Sequence, residues 1–219
     1  MKRKATWLVA LPLILFVLLA ISIAAGITVG FEGWAYNEAI EHMSPLLTAL
    51  VKVITHIGDA SSVISFCLLL FALPKSRRSI AIPVSVTVII STILNVLLKN
   101  LFTRQRPDIL RLINELSYSF PSGHAMNNAA LYTILILMIF RSVKNPVRKY
   151  SLIALCVVLN LSIGLSRIYL GVHYAGDVLG GWLIGFAVAV LVDLFWQEQS
   201  LSKQSSTARL QRKQHRTRE

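Results

Sequence analysis

Long apolar runs dominate the chain, and six of them approach or reach the length of a membrane span. They lie at 7–29, 57–73, 79–98, 121–140, 150–169 and 177–196. None shows the alternation of apolar and polar residues that marks a half-buried strand, and all are too long for strands. About 20 apolar residues in a helix cross a hydrocarbon core of about 30 Å. The pattern therefore predicts an all-α, integral-membrane bundle of six transmembrane helices.

The segment 31–54, between the first two runs, has a mixed pattern. Its aromatic and aliphatic residues are interspersed with three glutamates at helical spacing, and Pro45 interrupts it. Trp and Tyr, here Trp34 and Tyr36, favour the headgroup layer of a bilayer. We expect an interfacial helix between spans 1 and 2 that breaks near Pro45; the alternative is an ordinary connecting loop.

The composition changes again near the C-terminus. Residues 200–219 are rich in Ser, Gln, Lys and Arg and contain almost no apolar side chains. Such a segment cannot bury enough surface to offset the entropy lost on ordering. The sequence therefore predicts a six-span membrane domain over 1–199 and a basic, disordered cytoplasmic tail over 200–219.

Charge is scarce and unevenly placed. Only 15% of the 219 residues are charged and 55% are hydrophobic, which excludes a water-soluble globular enzyme. The net charge of +12 might suggest a nucleic-acid partner, but 16 of the 22 Lys and Arg residues flank the spans on the side of the N-terminus. This is the positive-inside pattern. It predicts a multi-pass protein of the cell membrane with both termini in the cytoplasm, and no nucleic-acid partner.

On that topology, a second group of polar and charged residues lies at the extracytoplasmic ends of the spans. Taken singly they have simple explanations: Lys99 suits a snorkelling interface lysine, and His173 with Asp177 suits a helix-surface pair. Independent accidents would not place three cations, two histidines and a carboxylate at one membrane face. The residues are Lys99, Arg106, Ser122, Gly123, His124, Arg167, His173 and Asp177.

Three of these residues form a candidate phosphate clamp. Lys99, Arg106 and Arg167 supply positive charge that matches a phosphate dianion and the oxygens of its transition state. Backbone amides near Ser122 and Gly123, at the start of a helix, add further donors for an anion. The sequence contains no metal-ligand cluster, so we expect a site without a metal or other cofactor.

The two histidines complete the chemistry of phosphoryl transfer. One can attack phosphorus while the other protonates the departing alkoxide. Asp177 can bond one nitrogen of His173 and leave the other free to attack. Two neighbours receive lesser roles: Ser119 is expected to cap the helix that Pro121 opens, and Arg104 to be a peripheral charge.

The motifs resemble those of the type 2 phosphatidic acid phosphatase superfamily. Its lysine, six residues and Arg-Pro match 99–107, its Pro-Ser-Gly-His matches 121–124, and its Ser-Arg, five residues, His, three residues and Asp match 166–177. The resemblance implies a six-helix fold, a phosphohistidine on His173, proton donation by His124 and no required metal. It also implies that phosphate is bound by Lys99, Arg106, Ser122, Gly123 and Arg167.

The sequence thus favours an integral-membrane lipid phosphate phosphatase that acts in the extracytoplasmic leaflet. The bacterial members that it resembles act on phosphatidylglycerophosphate, phosphatidic acid or undecaprenyl diphosphate. A transporter is the main non-catalytic alternative, but it would place ionisable residues near mid-span. A lipid-headgroup-binding protein of the same fold is another alternative, although it should have lost His124 or His173. The expected partners are the lipid phosphate substrate and the bilayer; the pattern does not indicate an oligomeric state.

Overall fold

The computed structural model describes the backbone of residues 2–74, 77–108 and 110–216, and side chains within those ranges from Thr6 to Gln199. Helices account for most of the described chain, and no strand occurs in it, which confirms the all-α class. A π-helical turn at Arg77–Ala81 precedes the fifth helix. The helices are α1 (Lys2–Ala24), α2 (Val29–Glu41), α3 (Pro45–Ile57), α4 (Ala60–Ala72), α5 (Ile82–Phe102), α6 (Gly123–Ser142), α7 (Pro146–Tyr169) and α8 (Ala175–Arg216).

Five of the helices, α1, α5, α6, α7 and α8, are long and apolar enough to cross a membrane. Helix α4 occupies the predicted second span, but its 13 residues reach only about 20 Å at 1.5 Å per residue. Helix α3 meets α4 at a 47° bend, and together the two pass the same length and hydropathy test. The described part of the chain thus has five candidate spans, or six if the bent pair α3–α4, with its bend at Gly58 and Asp59, is counted as one.

The region between the first span and α4 is helical, and it breaks near Pro45 as predicted. Helix α2 ends at Glu41, and α3 begins at Pro45 with Ser44 as its N-cap, whose hydroxyl accepts a hydrogen bond from the Leu47 amide at 3.2 Å. One face of α3 is exposed and apolar, whereas the other packs on α7. The exposed face carries Leu46, Leu50 and Val53.

Helices α6 and α8 pack closely against each other in the centre of the bundle. A β-carbon on Gly181 would lie 2.7 Å from the Ser122 carbonyl oxygen, and one on Gly185 would lie 2.2 Å from that of Met126. Two glycines four residues apart thus let the two backbones approach, a common device in membrane helices. The close packing brings the start of α6 against α8, where the Ser122 amide donates to the Asp177 carbonyl at 2.9 Å.

The segment that leads into α6 is held by aromatic packing. Phe120 is 1% exposed, and its ring centroid lies 5.4 Å from that of Phe16 on α1 and 4.9 Å from that of Phe102 on α5. The prediction that Ser119 caps this helix is wrong: the N-cap is Ser122. The extended chain around Pro121 delays the helix, and the Ser119 hydroxyl turns to Asp177 instead.

Helix α8 continues to Arg216, into the segment 200–219 for which the sequence predicts disorder. The side chains of residues 200–219 lie outside the described part of the chain. The division into a membrane domain over 1–199 and a separate tail stays a prediction.

Candidate active site

A cavity of about 250 Å³ lies at the end of the bundle where α5 and α7 finish and α6 and α8 begin. Residues from all three sequence motifs meet in its wall, together with one carboxylate that lies outside the motifs. One side of the cavity is apolar, formed by residues of α4 and α5. The polar part of the lining includes Lys99, Arg106, Glu115, Gly123, His124 and His173.

His173 lies in the short turn between α7 and α8 and is 2% exposed. Its Nδ1 faces the Asp177 carboxylate at 3.5 Å and the Ser119 hydroxyl at 3.3 Å, while its Nε2 lies 3.2 Å from Nη1 of Arg106. Arg106 can only donate, so Nε2 carries a lone pair and the ring proton belongs on Nδ1. Burial lowers the pKa of His173 to about 3, which keeps the imidazole neutral. The ring is thus arranged as a nucleophile with its lone pair on Nε2.

Asp177, in the first turn of α8, is fully buried, and three groups donate hydrogen bonds to its carboxylate. Its carboxylate accepts hydrogen bonds from the Ser119 hydroxyl at 2.5 Å, the Tyr174 amide at 2.8 Å and Arg104 at 2.6 Å. Donors of this kind stabilise the ionised form of a carboxylate. Asp177 therefore holds a negative charge beside the Nδ1–H group of the neutral His173 ring.

The expectation that Arg104 is a peripheral charge is wrong. Its guanidinium bridges Asp177 and Glu32 of α2, at 2.6 Å each, and lies 4.3 Å from the ring centroid of Tyr174. Burial lowers the pKa of Arg104, but Glu32 and Asp177 more than offset it and raise the pKa above its ordinary value. Directly before Arg104, Thr103 ends α5 as its C-cap in a left-handed conformation at φ 46°.

Replacement of Arg104 by glutamine should destabilise the protein and slow catalysis. It would leave Glu32 and Asp177 buried without a countercharge, and breaking a buried ion pair costs about 3–5 kcal/mol. We expect a lower Tm in detergent and reduced kcat. Arg111→Gln is the matched control, because Arg111 has no buried carboxylate as a partner: it donates to the Pro107 carbonyl at 2.5 Å and lies 3.6 Å from the fully exposed Asp108. Equal melting temperatures for the two variants would contradict the assignment.

His124, in the first turn of α6, lines the same cavity as His173. Its Nε2 lies 2.7 Å from Oδ1 of Asp59, at the break between α3 and α4. The second oxygen of Asp59 lies 2.7 Å from Nδ1 of His56. Asp59 belongs to no motif and lies 65 residues from its partner, so it was not predicted from the sequence; its position at the start of the predicted second span was the available signal.

Of the three predicted phosphate-binding cations, Lys99 and Arg106 line the cavity, whereas Arg167 does not line it but pairs with Glu115, which does. Lys99 donates to the Tyr118 carbonyl, and Arg106 donates to the carbonyls of Ser117 at 2.6 Å and Val172 at 2.8 Å. These bonds to backbone oxygens hold the two side chains in place without neutralising them. Backbone contacts thus leave the positive charge of both side chains in the cavity wall, where Glu115 is the acidic residue that also lines it.

Arg167 is 1% exposed and bonds two side chains, the Thr55 hydroxyl at 2.8 Å and the Glu115 carboxylate. The same carboxylate lies 3.7 Å from Arg106. Burial raises the pKa of Glu115, but Arg167 and Arg106 overcome this and hold it below its ordinary value. Sequence reasoning missed Glu115, whose carboxylate pairs with both guanidinium groups.

The two predicted amides of the Pro-Ser-Gly-His motif are placed differently. Gly123 lines the cavity, and a β-carbon there would come within 3.0 Å of the Asn95 side-chain oxygen. Ser122 lies behind it and is fully buried; its hydroxyl caps α6, and its amide already donates to the Asp177 carbonyl. Of the two, Gly123 is therefore the one positioned to meet a phosphate. Among the described residues, no group of three His, Cys, Asp or Glu could hold a metal.

The family profile of the PAP2 superfamily matches residues 80–200, and the chain belongs to that superfamily. Phosphatidylglycerophosphatase B of Bacillus subtilis (strain 168) is 31% identical over 186 residues, which cover 82% of this chain and 90% of that protein. Decaprenylphosphoryl-5-phosphoribose phosphatase of Mycobacterium tuberculosis is 32% identical over 68% of this chain and 80% of its own length. Glucose-6-phosphatase catalytic subunit 1 of Bos taurus matches over only 77 residues, 22% of that protein.

Solved structures give the same result. The crystal structure of a transmembrane PAP2-type phosphatidylglycerolphosphate phosphatase from Bacillus subtilis superposes with a TM-score of 0.80 at 27% identity, covering 88% of this chain and 97% of the other. Aquifex aeolicus LpxE superposes with a TM-score of 0.59 at 26% identity, covering 72% and 91% of the two chains. The protein is thus a multi-pass, metal-independent membrane lipid phosphatase, and the transporter alternative is disfavoured.

Proposed function

We propose that this phosphatase hydrolyses a lipid phosphate monoester through a phosphohistidine on His173, with phosphatidylglycerophosphate as its preferred substrate. The observation that carries the mechanism is the orientation of the buried His173 ring, whose Nδ1 face is held by Asp177 and whose Nε2 faces Arg106 in the cavity. The Bacillus subtilis relative, matched over 90% of its length, supports the choice of lipid.

In the first step, Lys99, Arg106 and Arg167 bind the phosphate oxygens, together with the Gly123 amide. The Nε2 lone pair of His173 attacks phosphorus, and the bond from phosphorus to the lipid oxygen breaks. The positive charge of the clamp stabilises the transition state, whose charge lies on the equatorial oxygens. The ring becomes a phosphohistidine, and its Nδ1 proton remains on the side of Asp177.

His124 handles the proton in both steps. As imidazolium it gives a proton to the lipid alkoxide, which leaves as an alcohol. The neutral ring then accepts a proton from the water that attacks phosphohistidine, so that the nitrogen–phosphorus bond breaks and inorganic phosphate is released. His124 ends the cycle protonated again, and His173 ends it neutral.

A comparison of three lipids tests the substrate. Purified protein in detergent should release phosphate from phosphatidylglycerophosphate with a higher kcat/KM than from phosphatidic acid or undecaprenyl diphosphate. The three are assayed side by side at equal mole fraction in the micelle. A higher kcat/KM on undecaprenyl diphosphate would refute the choice of phosphatidylglycerophosphate.

We also propose that the active site faces away from the cytoplasm and that both termini lie inside. The support is the unequal distribution of Lys and Arg between the two ends of the spans. In a background without Cys67 and Cys156, Asn114→Cys should react with a membrane-impermeant thiol reagent in intact cells, and Asn145→Cys should not. The reverse labelling pattern would invert the proposed orientation.

Activity should survive chelation, because the positive charge of Lys99, Arg106 and Arg167 replaces that of a metal. We expect EDTA to leave the rate of phosphate release unchanged. A rate that EDTA abolishes and magnesium restores would refute the proposal that these three cations take the place of a metal.

Vanadate, which becomes five-coordinate on a histidine as phosphorus does in the transition state, should inhibit phosphate release at far lower concentration than phosphate.

A further inference from the structure

Asp59 connects the active-site cavity to the protein surface through two histidines. Its Oδ1 lies 2.7 Å from Nε2 of His124, and its Oδ2 lies 2.7 Å from Nδ1 of His56. The side chain of His124 is 19% exposed, that of Asp59 32% and that of His56 73%. Asp59 is thus the carboxylate in direct contact with the proposed proton donor.

The position of Asp59 is fixed by packing. Asn128, one helical turn after His124 on α6, donates to the carbonyl of Gly58 at 3.0 Å and to that of His124 at 2.9 Å. A β-carbon on Gly58 would lie 2.4 Å from Ile163 of α7, so only glycine fits at this point of the break. The break between α3 and α4 is therefore locked to the turn of α6 that carries His124.

The other charged groups around His124 do not both bond its ring and stabilise its imidazolium form. Arg167 of α7 repels an imidazolium, and partial burial removes the water that would solvate it. Glu115 from the loop 103–122 faces it as well, but its carboxylate is engaged with Arg167 and Arg106. Asp59 is the carboxylate that bonds the His124 ring directly.

We propose that Asp59 is the positioning residue for His124: it holds the ring in the tautomer that carries a proton on Nε2 and stabilises the imidazolium form from which the proton is donated. This inference rests on the proposed function of His124 as the proton donor. With Nε2–H bonded to Asp59, Nδ1 is the nitrogen left for the reaction.

The same bond serves both chemical steps. In the first, the Nδ1 proton of the imidazolium passes to the alkoxide oxygen as the phosphorus–oxygen bond breaks. In the second, the Nδ1 lone pair takes a proton from the attacking water. Asp59 remains ionised throughout, and its bond to Nε2–H keeps the lone pair of the neutral ring on Nδ1.

Asp59→Asn tests the proposal, because the amide has nearly the same shape and can still accept the Nε2 hydrogen bond but carries no charge. On phosphatidic acid we expect kcat to fall about 10- to 100-fold, with KM changed less than threefold. The alkaline limb of the kcat profile should move to lower pH, since the imidazolium loses its countercharge. Asp59→Glu should recover part of the rate, and undecaprenyl diphosphate, which has a less basic leaving group, should be hydrolysed at a rate closer to that of wild type.

His56→Ala is the matched control, because it removes the other hydrogen bond to the same carboxylate on the exposed side. Its kcat should stay within about threefold of wild type. An Asp59→Asn kcat within twofold of wild type would overturn the inference, and so would equal losses on both lipids with an unshifted pH profile, which would indicate a structural role.

His124→Ala separates failure of this inference from failure of the proposed function. If that variant loses phosphatidic acid hydrolysis selectively while Asp59→Asn does not, the role of Asp59 alone is refuted. If His124→Ala loses both substrates equally, the proposed role of His124 fails, and that of Asp59 with it.

Discussion

His173→Ala is expected to lower the rate of phosphate release by about 10⁴-fold or more, the scale of loss when a catalytic nucleophile is removed. No other described side chain places an unprotonated nitrogen beside Arg106 in the cavity. The loss should appear in kcat on every lipid phosphate, because the phosphohistidine is common to all of them. Phosphate release by purified variant and wild type, measured at saturating lipid, gives the comparison.

The control is alanine at a histidine outside the site. His42 pairs loosely, at 3.8 Å, with Glu38, and its side chain is 68% exposed. His42→Ala should retain wild-type kcat. Because His173 is buried, the thermal unfolding of its variant is measured in parallel. A folded His173→Ala protein with turnover within tenfold of wild type would refute the assignment of His173 as the nucleophile.

His124→Ala should separate two classes of substrate. A general acid contributes about 10²- to 10⁴-fold, in proportion to the basicity of the leaving group. Phosphatidic acid and phosphatidylglycerophosphate expel an alkoxide, whereas a lipid diphosphate expels a much less basic phosphate. We therefore expect the full loss on the monoesters and a loss of less than about tenfold on undecaprenyl diphosphate.

The measurement is the ratio of kcat/KM for His124→Ala to that of wild type on phosphatidic acid and on undecaprenyl diphosphate. A residue that only bound phosphate in the ground state would lower both by the same factor, because the terminal phosphoryl group is alike in the two lipids. Equal losses would leave His124 as a binding residue.

The helices, and the meeting of motif residues at one end of the bundle, could be predicted because their signals are local. A run of about 20 apolar residues specifies a span by its length. His173 and Asp177 are four residues apart, which is close enough for direct contact across one turn, and the structure places them in contact. Lys99 at the end of α5, and Gly123 and His124 at the start of α6, reach one cavity because consecutive spans run in opposite directions.

The partners of these residues could not be predicted, because those contacts depend on how the helices pack in three dimensions. Arg104 meets Glu32 across 72 positions of the chain, and His124 meets Asp59 across 65. No periodicity relates residues so far apart, and each of these charges alone is typical of a solvated loop. The break at Gly58 was missed for a similar reason: its carbonyl accepts a hydrogen bond from Asn128 of α6, and Ile163 of α7 leaves no room for a β-carbon at this position.

Trapping of the phosphorylated enzyme tests the central claim most directly. Enzyme mixed with phosphate-labelled phosphatidylglycerophosphate is quenched in alkali, which preserves phosphohistidine, and digested with trypsin. Cleavage after Arg111, Arg141, Arg167 and Lys203 places His124 in the peptide 112–141 and His173 in the peptide 168–203, each as the sole histidine. We expect label in 168–203 that is absent from His173→Ala; label in 112–141 would contradict a phosphohistidine on His173.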